Sequence, residues 1–459
     1  MINKTLIQDV LEASLKTGAD FAEIFVEDTI SNDLFMSSLK LKKSTTSREF
    51  GIGIRIIKGL RSVYAYTNSK DKETLLKTAK EASLALGDLS LNKSIVLKER
   101  LNSNIHPVLY VPSSVGISDK KAIIERASLS AKNYDKSIVQ VETTYKDSDQ
   151  KIIIANSFGL YTTDRRIHSR MTIKSVASDG IENQTGYIAP GRSMGIEMFD
   201  VISPEKCGVD ASEMAITMLK ARPCPSGKMT VAIENGFGGV IFHEACGHAL
   251  EASSISKNLS VFSNKLGEKI ASSKVTAVDD GTIKNAYGSI NIDDEGNPSE
   301  KKILIENGIL KSYMVDYLSG KRMGVKANGS SRRESYKFAP TSRMTNTYIK
   351  EGEDDSSDII ASIDNGLYAK RMGGGSVNPI TGEFNFSVLE GYLVKNGKIK
   401  EPVRGASLIG KSTEILNNID MVGKNLALGS GTCGAASGNI PTNVGQPLIR
   451  VSEITVGGR

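Results

Sequence analysis

Leu6, Val10, Leu11 and Leu15 fall at helical spacing over residues 4–17, and Gly18 supplies a natural stop. The pattern then changes to alternation and short apolar runs. AEIFVED, the stretch around LFMSSLKLKKS, GIGIRIIKG and RSVYAYTN read as four strands, and a helical period returns over 71–86. The links between these strands are too short for crossovers, so the sheet is largely antiparallel. Residues 99–116, with Pro107 and Pro112 among Ser and Asn, read as a linker. A helix near 118–134 precedes three strand segments, SIVQVETTY, KIIIANS and GLYTTDRRIHSRMTIKSVAS, and a further helix near 209–221 ends at Pro223. KMTVAIE is again a strand; Gly236, Gly238 and Gly239 follow, and then the helical segment VIFHEACGHALEA. The remainder is short strands with Gly-rich turns, including hairpins at 300–318 and 384–400. The expected fold class is α+β. It comprises an N-terminal α/β domain with an antiparallel sheet over 1–98, the linker, a strand-rich middle domain over 117–222 and a β-rich C-terminal domain over 223–459.

A chain of 459 residues, at roughly 150 per domain, agrees with about three domains. Charged residues are 24% and hydrophobic ones 39%, an ordinary globular balance that excludes wholesale disorder. The net charge of +6 is spread thinly, aromatics are 6% and Trp is absent. The chain therefore has neither the basic stripe nor the stacking platform of a nucleic-acid binder. No apolar run approaches the length of a membrane span, and the N-terminus lacks the apolar core of a signal peptide. Cys207, Cys224, Cys246 and Cys433 form no CxxC and no disulfide framework, so a cytoplasmic location is expected.

Candidate chemistry is concentrated in His243-Glu244-Ala245-Cys246-Gly247-His248, which holds two of only four histidines. From composition alone, HExxxH is expected about 0.002 times in such a chain. Neutral imidazoles are good zinc ligands, and a carboxylate beside the first can act as a base on water without being a ligand. Histidines five apart on a regular α-helix diverge by roughly 140°, against roughly 40° for HExxH. A shared metal therefore requires a distorted helix, either a π-bulge or a bend at Gly247. A catalytic zinc site needs a third protein ligand. Glu251, Asp279 and Asp280 lie just downstream, and Cys433 sits in a glycine-rich loop whose backbone and thiol can approach a metal closely. Cys246 reads as a small buried residue.

HEACGHALE, VDDG at 278–281, DDEG at 293–296, SSRRESY at 330–336, RMTN at 343–346 and the late GTCG together resemble the TldD/PmbA family of zinc metalloproteases, and its TldD branch in particular. The resemblance covers essentially the whole chain. It implies that His243 and His248 ligate zinc, that Cys433 is the third ligand and that Glu244 is the general base. It also implies an N-terminal α/β part and a β-rich C-terminal part carrying the metal. A further implication is a homodimer, or a heterodimer with a PmbA/TldE-like subunit, acting on short or unfolded peptides in an enclosed cavity. One departure is visible: CGAASGN stands where the family reads closer to CGK followed by Gln.

Other motifs compete with this reading. Residues 405–412 match GxxxxGKS, but only 47 residues follow and none forms a strand ending in Asp, so a plain strand-to-helix turn is expected rather than an NTP site. Gly429-x-Gly431-x-x-Gly434 has no helix after it. The Asn291–Gly296 run is an acidic turn that, near a metal, would position a substrate amine. Arg332, Arg333 and Tyr336 read either as surface charge or as groups that polarise a carbonyl or hold a substrate carboxylate. His106 and His168 have no evident nucleophile partner, and no GxSxG is present.

Overall fold

Asn3 starts the first helix by accepting a hydrogen bond from the Leu6 amide, and Lys4–Leu15 then buries Ile7, Val10, Leu11 and Leu15. The computed structural model describes residues 2–87, 93–378 and 380–458. The first helix and a second, Lys72–Leu84, lie on one end of an eight-stranded sheet. The other end is covered by Ile117–Lys132 and Pro204–Lys220. The latter begins earlier than its apolar period indicates, because Ser203 caps it and Pro204 opens its first turn.

The strands of this sheet are fewer and longer than the hydrophobic pattern suggests. Phe21–Ser37 is one strand paired throughout with Lys40–Lys58, and LFMSSLKLKKS contains the turn rather than a strand of its own. Ser38 and Leu39 both take positive φ, 50° and 60°. That is the backbone a two-residue hairpin of primed type demands, here without the Asn or Gly that normally marks it. Similarly, Ile138–Asn156 runs unbroken through the polar KDSDQ, because that stretch is hydrogen-bonded on both edges, to Phe21–Ser37 and to Leu160–Ser178. The sheet thus joins the N-terminal and middle segments across the Phe21–Ser37/Ile138–Asn156 pair.

Beyond it, five strands close into a barrel. Gly227–Ile233 pairs in parallel with Asn365–Val377 and antiparallel with Ile449–Gly457; Ser407–Lys411 and Glu383–Lys395 complete the ring back to Asn365–Val377. A separate six-stranded sheet holds Ala277–Asp280, Asn346–Ile349 and Gly438–Gln446, and ends on Ala427–Ala435. Residues of the barrel, the six-stranded sheet and the HExxxH segment share one apolar core.

Buried ion pairs lock the N-terminal sheet to the C-terminal part. Arg55 reaches Glu23 at 2.9 Å and Glu295 at 2.6 Å, Arg333 reaches Glu23 at 2.6 Å, and Arg166 reaches Asp294 at 2.6 Å. Asp294, Glu295 and Arg333 are therefore neither substrate groups nor surface charge. Arg332 is buried as well and donates to the Met344 carbonyl, while Tyr336 packs in a small cluster with Phe25 and Ile154. The GxxxxGKS match also resolves: Ser407–Lys411 is a barrel strand whose backbone is engaged in sheet pairing, followed by the short helix Ser412–Asn418. Those amides have no freedom to cradle a phosphate.

Candidate metal centre

The HExxxH segment is distorted as its spacing requires. Val240–Phe242 is α-helical, His243–Gly247 is π-helical and His248–Leu250 is a 3₁₀ turn. The His248 amide donates to the His243 carbonyl, five residues back rather than four. The wider turn brings positions five apart onto one face, and the two imidazoles lie 5.2 Å apart at an interplanar angle of 84°. Gly247 makes this possible in a crowded place, since a Cβ there would lie 2.2 Å from Met344 Sδ. Gly239 serves the approach to the segment, where a Cβ would meet the Gly445 backbone at 2.4 Å.

Cys433 comes from the edge strand Ala427–Ala435, held in register by Gly438–Gln446 through the pair Cys433↔Ile440. Its Sγ lies 3.2 Å from His243 Nε2 and 3.2 Å from His248 Nε2. The three donor atoms lie within 4.8 Å of one another. Zinc bound tetrahedrally, with nitrogen at about 2.0–2.1 Å and thiolate at about 2.3 Å, sets N and S donors about 3.5 Å apart. The donor set and its spacing fit zinc. Burial works to raise the Cys433 thiol, but the charges and hydrogen bonds of His243 and His248 outweigh it and bring the group down to about 3. Burial likewise opposes charge on His248, yet Glu251 and Cys433 hold that imidazole well above its ordinary range. The trio is thus arranged to carry a thiolate, the form of cysteine that binds metal.

Glu244, on the partly exposed side, places Oε2 3.6 Å from His248 Nε2. Of the downstream acids, Glu251 is closest, but it faces the other ring nitrogen: its Oε1 lies 3.1 Å from His248 Nδ1. It therefore orients the ring and leaves Nε2 facing Cys433, the usual second contact of a metal-binding histidine. Asp279 is occupied by Thr345 and Lys302, and Asp280 by Thr282, so neither joins the donors. Cys246 is fully buried in the apolar core, and burial pushes its thiol up.

Arg343 carries a role that its place in RMTN does not reveal. Its fully buried guanidinium donates to the Cys433 carbonyl at 2.6 Å and to Ser437 Oγ and the Gly438 carbonyl at 2.9 Å each. Its Nε lies 3.9 Å from Glu251 Oε1. One cation thus braces both the cysteine strand and the carboxylate behind His248. An arginine buried among carbonyls has no periodicity signature, so only the fold exposes it.

A β-rich domain carrying a His/Glu/His helix, with a cysteine delivered by a distant strand, places a group that could hold a metal beside a carboxylate. Models of the PmbA/TldA metallopeptidase domain 1, central domain and C-terminal domain match residues 22–86, 110–219 and 226–458. The chain belongs to the TldD/PmbA metallopeptidase family. It is 34% identical to a metalloprotease TldD homolog of Buchnera aphidicola, over 99% of this chain and 97% of that one. It is also 27% identical to a zinc metalloprotease TldD homolog of Saccharolobus solfataricus, over 96% and 97%. Among solved structures it resembles a Thermotoga maritima protein described as a candidate modulator of a DNA gyrase (TM-score 0.79, 22% identity, 95% and 96% covered). TldE of Thermococcus kodakarensis is similar in fold (TM-score 0.77, 20% identity, 99% and 100% covered).

Proposed function

We propose that the chain is a zinc-dependent peptidase that hydrolyses short or unfolded peptides, with His243, His248 and Cys433 as the metal ligands and Glu244 as the general base. The observation that carries this reading is the convergence of two imidazole nitrogens and a thiol within 4.8 Å, with the partly exposed Glu244 carboxylate 3.6 Å from one of those nitrogens. Zinc bound there supplies a Lewis acid that polarises a carbonyl and lowers the pKa of water towards about 7. Glu244 accepts the proton of the attacking water and returns it to the departing amine. Glu251 keeps His248 in one tautomer, and Arg343 holds the Cys433 backbone in place. The name of the Saccharolobus relative adds support for zinc.

By the same reading the chain works in the cytoplasm, paired with a copy of itself or with a subunit of the TldE kind; the fold likeness to TldE supports that partnership. Among the described residues, no helix is long and apolar enough to cross a membrane. The test is zinc per chain in the purified protein and in Cys433→Ala, together with peptide turnover by Glu244→Gln. The expected result is near one zinc in the wild type, clear loss in Cys433→Ala, and zinc retained with most turnover lost in Glu244→Gln. A wild type that takes up no zinc after addition, or Glu244→Gln with full turnover, refutes the assignment.

A further inference from the structure

A cleft of about 550 Å³ opens where three parts of the molecule meet: the middle domain at Tyr187–Arg192, the barrel at Tyr368–Gly374 and the edge strand at Leu428–Ser430. Its charge is one-sided. Arg170, Arg192, Lys370 and Arg371 line it against the single carboxylate of Glu234. Lys370 and Arg371 share the one buried carboxylate of Glu390, at 2.8 and 3.1 Å. Glu234 accepts from the Tyr368 hydroxyl. Arg170 and Arg192 remain. Among the described residues neither has an ion-pair partner. Arg170 donates to Thr432 Oγ1 at 2.8 Å and lies 5.5 Å from the centre of the Tyr287 ring, and among the described residues its buried Nε has no hydrogen-bond partner. Burial pulls the Arg192 guanidinium below its ordinary range.

Partly buried cations without counter-charges carry a desolvation cost that a bound anion would relieve. The cleft also touches the metal-bearing strand. Gly429 and Ser430 line it, Thr432 receives the Arg170 hydrogen bond, and Cys433 is the next residue. Four residues of strand from Gly429 to Cys433 span about 13 Å, the reach of about four residues of an extended peptide. Tyr187, Phe237 and Tyr368 give the walls apolar surface for the chain of such a ligand.

We propose that this cleft is a carboxylate-binding subsite, in which Arg192 with Arg170 beside it takes an acidic side chain or the C-terminal carboxylate of a peptide reaching the metal centre. The inference rests on the peptidase reading above and adds to it a preference in substrate charge. Arg192 is the position to alter, because among the described residues it makes no hydrogen bond that a substitution would break.

The experiment is fluorescence anisotropy with the zinc-loaded full chain carrying Glu244→Gln, so that peptides bind without being cut. The probes are labelled eight-residue Ala/Gly peptides in four forms: one Asp with an amidated end, Asn with an amidated end, Asn with a free C-terminal acid, and Lys with an amidated end. The Asp peptide, the free-acid peptide or both are expected to bind about tenfold more tightly than the Asn amide, the scale of one charge-assisted contact. Which of the two gains identifies the source of the carboxylate. Arg192→Gln abolishes that gain and leaves the Asn amide unchanged, whereas Arg192→Glu transfers the preference to the Lys peptide. A structural defect would weaken all four alike. The gain also shrinks as salt rises. Equal affinities for all four peptides, an acidic preference that survives Arg192→Glu, or no peptide binding at all would each overturn the subsite. The zinc content of wild type and Cys433→Ala judges the metal assignment separately.

Discussion

Replacing Arg343 with Met separates the bracing of the metal donors from the stability of the fold. The substitution keeps the buried volume apolar but strips the donors from three acceptors, the carbonyls of Cys433 and Gly438 and the hydroxyl of Ser437. It also removes the cation 3.9 Å from Glu251. Buried acceptors left unpaired and a carboxylate without its cation together cost about 3–5 kcal/mol, which a domain with about 5–15 kcal/mol in hand survives in weakened form. The second effect is specific. With the cysteine strand and the Glu251–His248 contact both loosened, zinc affinity falls about 10–100-fold, the usual scale for losing an outer contact of a metal ligand. Competition against a chromophoric chelator measures the affinity, urea unfolding the stability, and the absorption bands of the cobalt-substituted protein the donor geometry. Arg55→Met is the control: it breaks two buried ion pairs, at 2.9 and 2.6 Å, but touches none of the donors. It should lose comparable stability and keep its zinc affinity. Wild-type zinc affinity in Arg343→Met, or an equal loss in Arg55→Met, would refute the bracing argument.

Two further outcomes follow from packing and charge. His168 is half-buried beside Arg332 and Arg166 with its Nε2 enclosed, and desolvation first, then those charges, bring its imidazole down from 6.5 to about 3. Above pH 6.5 it is neutral in both states and contributes no pH dependence. Below that, only the unfolded chain gains its proton, so stability falls by about 1.4 kcal/mol per pH unit towards pH 3, or about 2 kcal/mol at pH 5. Urea unfolding at pH 7.5 and pH 5 should show that extra loss in the wild type and not in His168→Gln; parallel losses would count against a neutral half-buried imidazole. Gly247→Ala drives a Cβ to 2.2 Å from Met344 Sδ. The free energy of unfolding should fall by about 1–3 kcal/mol and recover in part when Met344→Ala is added, and a neutral Gly247→Ala would show that the methionine yields freely.

Much of the site was legible because its chemistry is local. Two scarce histidines and a glutamate within six residues mark a candidate metal site, and the five-residue spacing requires, for a shared metal, a distortion such as the π-turn that the segment adopts. The helices over 4–17, 71–86 and 118–134 were legible for the same reason, since their apolar period and stops lie within a few turns. Strand ends were less so. The turn at Ser38 and Leu39 is held by the long ladders on either side of it rather than by its own residues, and KDSDQ stays extended because strands flank both its edges.

By itself, then, the sequence determined the α+β class, the distorted HExxxH helix and the set of candidate ligands. It also named the family through motifs spread over the whole chain. Only the tertiary structure showed which of Glu251, Asp279, Asp280 and Cys433 lies beside the Nε2 atoms of both imidazoles, because that depends on which strand edge meets the helix. It turned Glu251 into the partner of His248 Nδ1 and brought Cys433 to 3.2 Å from both imidazoles across 190 and 185 residues of chain. It also buried Arg333, Asp294 and Glu295 in ion pairs between distant segments and set Arg343 behind the donors. A buried charge reads in sequence like an exposed one, since its environment is supplied by residues far along the chain, and only folding brings them to it.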